Sequence, residues 1–246
     1  MQGGSSVARE FSKEGATVFL SGRHLSPVET VADEIHAYRG KAEIAEVDAL
    51  NEDAVDSYLE KIVNQVGKID IVFNATGLRP NEFDSGKPAV EISFDNFMRY
   101  MNTYTASCFL TARAAARHML TRHSGVVIFL TGALSKGVAP NFAGVGAAYG
   151  AIEALTRCLA VEWSPSGVRV VCINSGGMFD TNTIQQAYKS MGATKEAIWD
   201  NMKHSYLLKR MPVTEDTAKV AAFIASDRGN TFTGTIINST NGEVLD

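Results

Sequence analysis

The chain has 246 residues, of which 45% are hydrophobic and 20% charged, with a formal net charge of −4 at pH 7. These values are typical of a globular α/β domain with a sizeable core, and they give no reason to expect a nucleic-acid partner. No apolar run approaches the ~20 residues of a membrane span, and the first residues lack the regions of a signal peptide, so we expect a cytoplasmic protein. The cysteines Cys108, Cys158 and Cys172 lie in apolar patterns and are predicted to be buried free thiols.

Strand and helix patterns alternate along the chain, since short apolar runs are followed by longer segments with helical spacing. Strands are predicted at Val18–Ser21, Ala42–Val47, Ile69–Phe73, Val126–Leu130, Val168–Ile173 and Thr235–Asn238. Helices are predicted at Pro27–Tyr38, Glu52–Val66, Phe94–Thr121, Ala147–Trp163 and Thr214–Ser226. The continuous apolar run at Ile69–Phe73 indicates a strand that is buried on both faces. This order predicts a three-layer, doubly wound α/β fold with a mainly parallel sheet, as one domain over residues 1–246.

Three motifs occur in an order that identifies a known family. They are Asp70-Ile-Val-Phe-Asn74-Ala-Thr-Gly77, Leu155-Thr-Arg-Cys-Leu-Ala-Val-Glu-Trp163, and Phe232-Thr-Gly234 followed by Asn241-Gly242. On these residues the chain resembles the short-chain dehydrogenase/reductase family, over nearly its whole length. The resemblance implies a Rossmann-type sheet with a nicotinamide cofactor at the carboxyl ends of the strands. It also implies that residues 175–213 form a substrate lid.

The family carries a catalytic serine, tyrosine, lysine and asparagine, and this chain replaces all four. A gapless match places Gly132 at the serine, Val145 at the tyrosine and Tyr149 at the lysine, while Tyr104 falls at the asparagine. A valine cannot transfer a proton, so the usual proton relay is predicted to be absent. Tyr104 and Tyr149 become the candidate catalytic residues. They either bind a ligand through their hydroxyl groups or fill the volume that the lysine and a lost cofactor would vacate.

Two other alignments leave the chemistry incomplete. A shift by one helical turn makes Tyr149 the catalytic tyrosine, but it puts Glu153 in the role of lysine and breaks the match from Leu155 onward. Divergent enoyl-thioester reductases place tyrosine and lysine seven residues apart, which is the spacing of Phe142 and Tyr149. Phe142 lacks the hydroxyl and Tyr149 lacks the amine, so that branch does not restore the relay either. Ser135 and Lys136 are the nearest other polar residues.

The beginning of the chain also departs from the family. Gly3-Gly4-Ser5-Ser6-Val7 and the residues that follow match only the end of the glycine loop and its helix, so the family's first, central strand has no counterpart. Either a segment of the natural protein is absent from this sequence or the protein starts here. An unfilled central position would leave two strand edges unpaired, which favours a missing segment.

Several candidate cofactor-binding residues remain. They are Gly4, Arg23, Asp48, Asn74, Gly77 and Gly176. Arg23 follows the first predicted strand and suits a 2′-phosphate, so NADP is favoured over NAD. The alternative is that this protein has lost cofactor binding. The family resemblance places Asp48 at the adenine and Ser175-Gly176-Gly177 beside the nicotinamide, with Asp180 and Thr181 near its carboxamide. No Cys/His grouping has the spacing of metal ligands.

Three functions remain open. The protein is an oxidoreductase with an altered mechanism, a non-redox enzyme such as a cyclase, dehydratase or isomerase, or a pseudoenzyme that assembles with an active homologue. Apolar residues of the lid region predict a small, apolar ligand; they are Met178, Phe179, Met191, Trp199, Met202 and Tyr206. The resemblance further implies a homo-dimer or tetramer built on the helices at Phe94–Thr121 and Ala147–Trp163 and on the last strand.

Overall fold

The computed structural model describes residues 2–77, 86–182, 184–186, 194–202 and 204–245, and only the backbone of residues 2, 195, 198, 201 and 202. Strands and helices alternate as predicted. The strands are β1 (Thr17–Gly22), β2 (Lys41–Glu46), β3 (Ile71–Asn74), β4 (Gly125–Thr131), β5 (Val168–Asn174) and β6 (Ile236–Asn238). The helices are α1 (Gln2–Lys13), α2 (Leu25–Ala37), α3 (Glu52–Val66), α4 (Phe94–Tyr100), α5 (Ala106–Thr121), α6 (Ala143–Trp163), α7 (Lys195–Met202) and α8 (Thr214–Ala225).

Every strand pairing is parallel, and the strands form two groups. β1 pairs with β2, while β3, β4, β5 and β6 form a four-stranded sheet in that order. Within the described ranges no backbone ladder joins β1 to β3. The predicted α/β architecture is therefore confirmed, and the break lies where the family resemblance would place a further strand.

Helices cover both faces of the four-stranded sheet. Along β4, Val127 and Phe129 pack with α3, α5 and α6, whereas Val126 and Ile128 pack with α1 and α8. β5 alternates in the same way, because successive side chains of a strand point to opposite faces. The two cores meet through the central strands β4 and β5, which are almost entirely buried, and this explains why both strands are nearly continuous apolar runs.

The prediction for β3 is wrong in two respects. The strand covers Ile71–Asn74 rather than Ile69–Phe73, and its first three residues are half-exposed rather than buried. The apolar residues of β1 are half-exposed as well. In the described part of the chain each of these strands has a neighbour on one side only, so water reaches side chains that a second neighbouring strand would cover.

Two further expectations need correction. The helix predicted at Phe94–Thr121 is interrupted at Met101–Thr105 by one π-helical turn, closed by the Ala106 amide, which donates to the Met101 carbonyl. Cys108 and Cys172 are buried, but Cys158 is exposed. The reason is that Cys158 lies on the outer side of α6, away from the buried residues Ile152 and Leu159.

No helix in the described ranges is long and apolar enough to cross a membrane.

Candidate functional site

The carboxyl ends of the strands form an edge on which polar side chains hold the outgoing loops. Asn74, Asn174 and Asn238 end β3, β5 and β6. Each accepts, through its side-chain oxygen, the backbone amide two residues later, at 3.0, 3.2 and 3.2 Å. These Asx turns fix the direction in which the chain leaves the sheet. The edge is therefore a preformed platform rather than a set of loose loops.

The two candidate catalytic tyrosines meet above this platform. Tyr104 comes from the π-helical turn and Tyr149 from α6, and their ring centroids lie 5.4 Å apart at an interplanar angle of 83°. A Cβ at Gly77 would lie 3.8 Å from the Tyr104 hydroxyl. A Cβ at Gly132 would lie 3.3 Å from Tyr149 Cε2 and 3.4 Å from the Gly176 carbonyl oxygen. Five of the residues predicted from the sequence thus surround one point.

Tyr149 is held in its neutral form. Burial raises its pKa well above the ordinary value of 10.0, and the neighbouring Tyr104 raises it further. Below that pKa a phenol donates a hydrogen bond and does not accept a proton. At neutral pH Tyr149 can therefore polarise a ligand oxygen, but it is a poor general base.

Val145 is buried in a small apolar cluster with Tyr100 and Ala148. The close approach of α4 and α6 at this point depends on Gly144, because a Cβ there would lie only 2.3 Å from the Tyr100 ring. The side chain of Val145 therefore serves packing.

Ser135 and Glu153 form a buried contact that the sequence analysis missed. Glu153 is 6% exposed, and its Oε1 accepts a hydrogen bond from Ser135 Oγ at 2.6 Å and a longer one from Thr131 Oγ1 at 3.5 Å. Ser135 lies in the 3-10 turn Ala133–Lys136 that follows β4, and this bond ties the turn to α6. The available signal was a charged residue in the buried stripe of α6, between Ile152 and Thr156.

The predicted cofactor-binding residues lie at two places. Asn74 is buried, and its amide donates to Thr111 Oγ1 at 2.9 Å, so it anchors β3 to α5. Gly4 packs against the end of β3, because a Cβ there would lie 2.8 Å from Ala75 Cβ. This close approach of α1 to a strand is a purpose that glycine serves in dinucleotide-binding loops. Gly77 and Gly176 border the tyrosine pair described above.

Arg23 and Asp48 lie at the other group of strands, just after β1 and β2. Both side chains are exposed. Asp48 Oδ1 accepts the Leu50 amide at 3.0 Å, which leaves Oδ2 available. The parallel pairing of β1 with β2 puts the two side chains at the same edge. They offer one positive and one negative group to a ligand that crosses this edge.

The structure gives Asp180 a local role. Its carboxylate accepts the amide of Thr214 at 2.9 Å and the Thr214 hydroxyl at 2.7 Å, so it caps the start of α8. Ser6 of α1 donates to the same hydroxyl at 2.8 Å. Asp180 thereby connects the loop after β5 with α1 and α8. Thr181 bonds within its own turn, through the Met178 carbonyl.

Apolar side chains of the predicted lid region pack beside this loop. Phe179 and Trp199 stack edge to face with centroids 5.1 Å apart, and the sulfur of Met178 accepts a hydrogen bond from Thr217. Tyr206 is fully buried. Met191 and the side chain of Met202 lie outside the described residues.

Among the described residues no group of three His, Cys, Asp or Glu side chains could hold a metal ion.

The chain is similar in sequence and fold to several known proteins. A family profile described as enoyl-(acyl carrier protein) reductase matches residues 4–242. Gluconate 5-dehydrogenase of Gluconobacter oxydans (strain 621H) is 26% identical over 247 aligned positions, covering 98% of this chain and 87% of that protein. Two solved structures share the fold. A NAD+-bound xylitol dehydrogenase has a TM-score of 0.90 at 23% identity, covering 98% of this chain and 95% of that one. ElxO with NADP bound has a TM-score of 0.87 at 22% identity, covering 98% and 94%.

Proposed function

The chain belongs to the short-chain dehydrogenase/reductase family, and from that membership we propose that it is an oxidoreductase-class protein that binds NADP(H) but lacks the family's tyrosine–lysine route for oxidising alcohols. The observation that carries the proposal is the Tyr104–Tyr149 pair, packed against Gly132. The scaffold around this pair is retained, while the groups that would move a proton are replaced.

The residues of the adenosine side fit a dinucleotide. Gly4 gives α1 its close approach to β3, and Asp48 presents a carboxylate oxygen at the edge of β2. Arg23 is exposed at the end of β1 and suits a 2′-phosphate, which favours NADP over NAD. Asn74, Gly77 and Gly176 would border the other half of the cofactor. When bound, the nicotinamide supplies the hydride chemistry.

The residues at the centre bind and orient rather than transfer protons. Val145 is aliphatic and Gly132 has no side chain, and the Ser135 hydroxyl is engaged by Glu153. Tyr149 stays protonated because burial raises its pKa well above 10.0. The two phenols, together with the apolar Phe179–Trp199 pair of the predicted lid region, favour a small, mainly apolar ligand with one oxygen that accepts a hydrogen bond.

The same phenol pair supports a second candidate, a non-redox use of the pocket. One phenol of the pair donates its hydroxyl to the other, and the remaining hydroxyl can polarise a carbonyl group without a hydride donor, as an isomerase, dehydratase or cyclase requires. A third candidate, a pseudoenzyme that assembles with a second copy or an active homologue, is supported by exposed apolar residues on the helices that the family uses for assembly. These are Phe109 on α5 and Val161 on α6, which are 39% and 80% exposed.

The deciding experiment is a calorimetric titration of the protein with NADPH and NADH. We expect NADPH to bind more tightly, and Arg23→Ala to weaken NADPH about tenfold while leaving NADH unchanged, because a charge-assisted bond to phosphate is lost. Lys61→Ala, which removes an exposed charge on α3, is the matched control. The bound protein should not oxidise a panel of simple alcohols. If neither nucleotide binds, the redox proposal is overturned. If the protein oxidises alcohols robustly and Tyr149→Phe abolishes this turnover, the proposal that the alcohol-oxidising route is absent is overturned.

A further inference from the structure

The residues after β6 turn back towards the loop that leaves β5. After β6, Thr240 is fully buried and its hydroxyl donates to Asn238 Oδ1 at 2.7 Å. Asn241 and Gly242 then both adopt left-handed backbone angles, with φ of +57° and +80°. This pair reverses the chain within a few residues and directs Glu243 to the loop that leaves β5.

Glu243 contacts the wall of the candidate site. Its Oε2 accepts the Gly177 amide at 3.3 Å. A Cβ at Gly176 would lie 2.6 Å from the same oxygen, and Gly176 has a φ of +64°, so only glycine suits this position. The carbonyl oxygen of Gly176 lies 3.4 Å from the Cβ position of Gly132. The Glu243 carboxyl therefore contacts the Gly176–Gly177 segment that borders the candidate site.

The same turn holds residues 204–211, which we call the return segment because it leads the chain from α7 back to α8. The Leu208 amide donates to the Asn241 carbonyl at 3.1 Å, and the Asn241 amide group donates to the Arg210 carbonyl at 3.4 Å. Leu207 packs on Gly242, where a Cβ would lie 2.6 Å from Leu207 Cβ. Tyr206 is fully buried, with its hydroxyl 3.8 Å from a Cβ at Gly177. Glu243 thus lies where three segments meet.

No cation contributes to the environment of Glu243 among the described residues. Burial raises the pKa of its carboxyl above the ordinary 4.5, and the Gly177 amide and the Tyr206 hydroxyl lower it only in part. Tyr206 is the titratable group that faces it from the return segment. On the same segment Lys209 is exposed, and Arg210 forms an ion pair with Asp216. The turn after β5 contributes glycines. The packed arrangement therefore favours the protonated carboxyl.

We propose that Glu243 is a positioning residue that fastens the return segment to the Gly176–Gly177 wall of the site, and that its ionisation loosens this attachment. The carboxyl is held by uncharged donors in a partly buried place, so its charge is better solvated when the segments separate. As pH rises from 4.5 through the raised pKa, stability of the closed arrangement is lost. Each unit by which the pKa is raised favours opening about tenfold. The consequence for ligand access rests on the function proposed above.

The test is hydrogen–deuterium exchange of the ligand-free protein, read by mass spectrometry at pH 5 and pH 8 and corrected for the intrinsic pH dependence of amide exchange. In the wild type, protection of residues 204–211 should fall several-fold at pH 8. Glu243→Gln keeps the shape and the acceptor oxygen without the charge, so its protection should be high and independent of pH. Glu243→Ala should exchange fast at both pH values.

Glu215→Gln, which removes an exposed carboxylate from α8, is the matched control and should behave like the wild type. Exchange of β4 reports whether each variant is folded. A pH response that Glu243→Gln shares with the wild type overturns the proposal, and so does full protection of the return segment in Glu243→Ala. The readout needs no nucleotide, so a failure to bind NADPH leaves it unaffected and concerns only the proposed function.

Discussion

The ring of Tyr149 lies against the position where a side chain of residue 132 would begin: a Cβ at Gly132 would be 3.3 Å from Tyr149 Cε2. Gly132 has an extended backbone, with φ of −138° and ψ of 172°, so its lack of a side chain is not required by the backbone. It is matched to the aromatic ring that occupies the space. The absence of a side chain at residue 132 and the aromatic ring at residue 149 therefore depend on each other.

This relationship predicts that Gly132→Ala will destabilise the protein. The added methyl crowds the Tyr149 ring and should lower the free energy of unfolding by about 1 kcal/mol, as mild overpacking does. Gly150→Ala is the matched control, because it lies in α6 with nothing within 4 Å of its Cβ position and should be stabilising by about 0.5–1 kcal/mol. Urea denaturation of both variants measures the difference. Equal changes in the free energy of unfolding for the two variants would contradict the prediction, because they would show that the Tyr149 ring moves away from the added methyl without cost.

The raised pKa of Tyr149 predicts the result of a spectrophotometric titration. Because this phenol stays neutral, the phenolate absorbance of the folded wild type and of Tyr149→Phe should superimpose between about pH 8 and pH 10.5. After denaturation in guanidinium, the wild type should gain one more phenolate than the variant near pH 10. If folded Tyr149→Phe shows one phenolate fewer than the folded wild type between about pH 8 and pH 10.5, then Tyr149 ionises in that range and is available as a base.

The Ser135–Glu153 contact predicts a coupled pair. Ser135→Ala removes the 2.6 Å donor to a buried carboxyl and should lower the free energy of unfolding by about 1–2 kcal/mol. In the double variant with Glu153→Gln, the loss should be smaller than the sum of the two single losses. Ser124→Ala, at an exposed position before β4, should change stability by less than about 0.5 kcal/mol. Strict additivity in this cycle would contradict the coupling.

Asp216 predicts a pH dependence at the start of α8. Arg210 holds the pKa of this carboxyl below its ordinary 3.8, and the Val213 amide, which donates at 3.0 Å, lowers it as well. A carboxyl whose pKa is lowered in the folded state stabilises the protein above its unfolded pKa, and this stabilisation is lost as pH falls. We therefore expect Asp216→Asn to lower the free energy of unfolding by about 1 kcal/mol at pH 7, and the difference from the wild type to vanish in acid below pH 3.8. A difference that persists in acid would contradict the prediction.

The order of strands and helices was predictable because it depends on local periodicity. β4 and β5 are buried on both faces and therefore form apolar runs, while α3 ends at the residues that its pattern predicts. The half-exposure of β3 was not predictable from its own residues. An apolar run is the same whether its strand has one neighbour or two, and only the sheet order decides how much water reaches it.

By itself, the sequence determined the family fold, because strand and helix patterns depend on local periodicity, and gapless spacing from β4 into α6 predicts Gly132, Val145 and Tyr149 at the centre of the site. The tertiary structure alone decided which of the remaining groups meet. Tyr104 reaches Tyr149 through a π-helical turn, Ser135 turns to Glu153, and Glu243 reaches Gly177 from 66 residues away. Periodicity records which face of an element is buried, but such contacts depend on how separate elements pack and where the chain reverses.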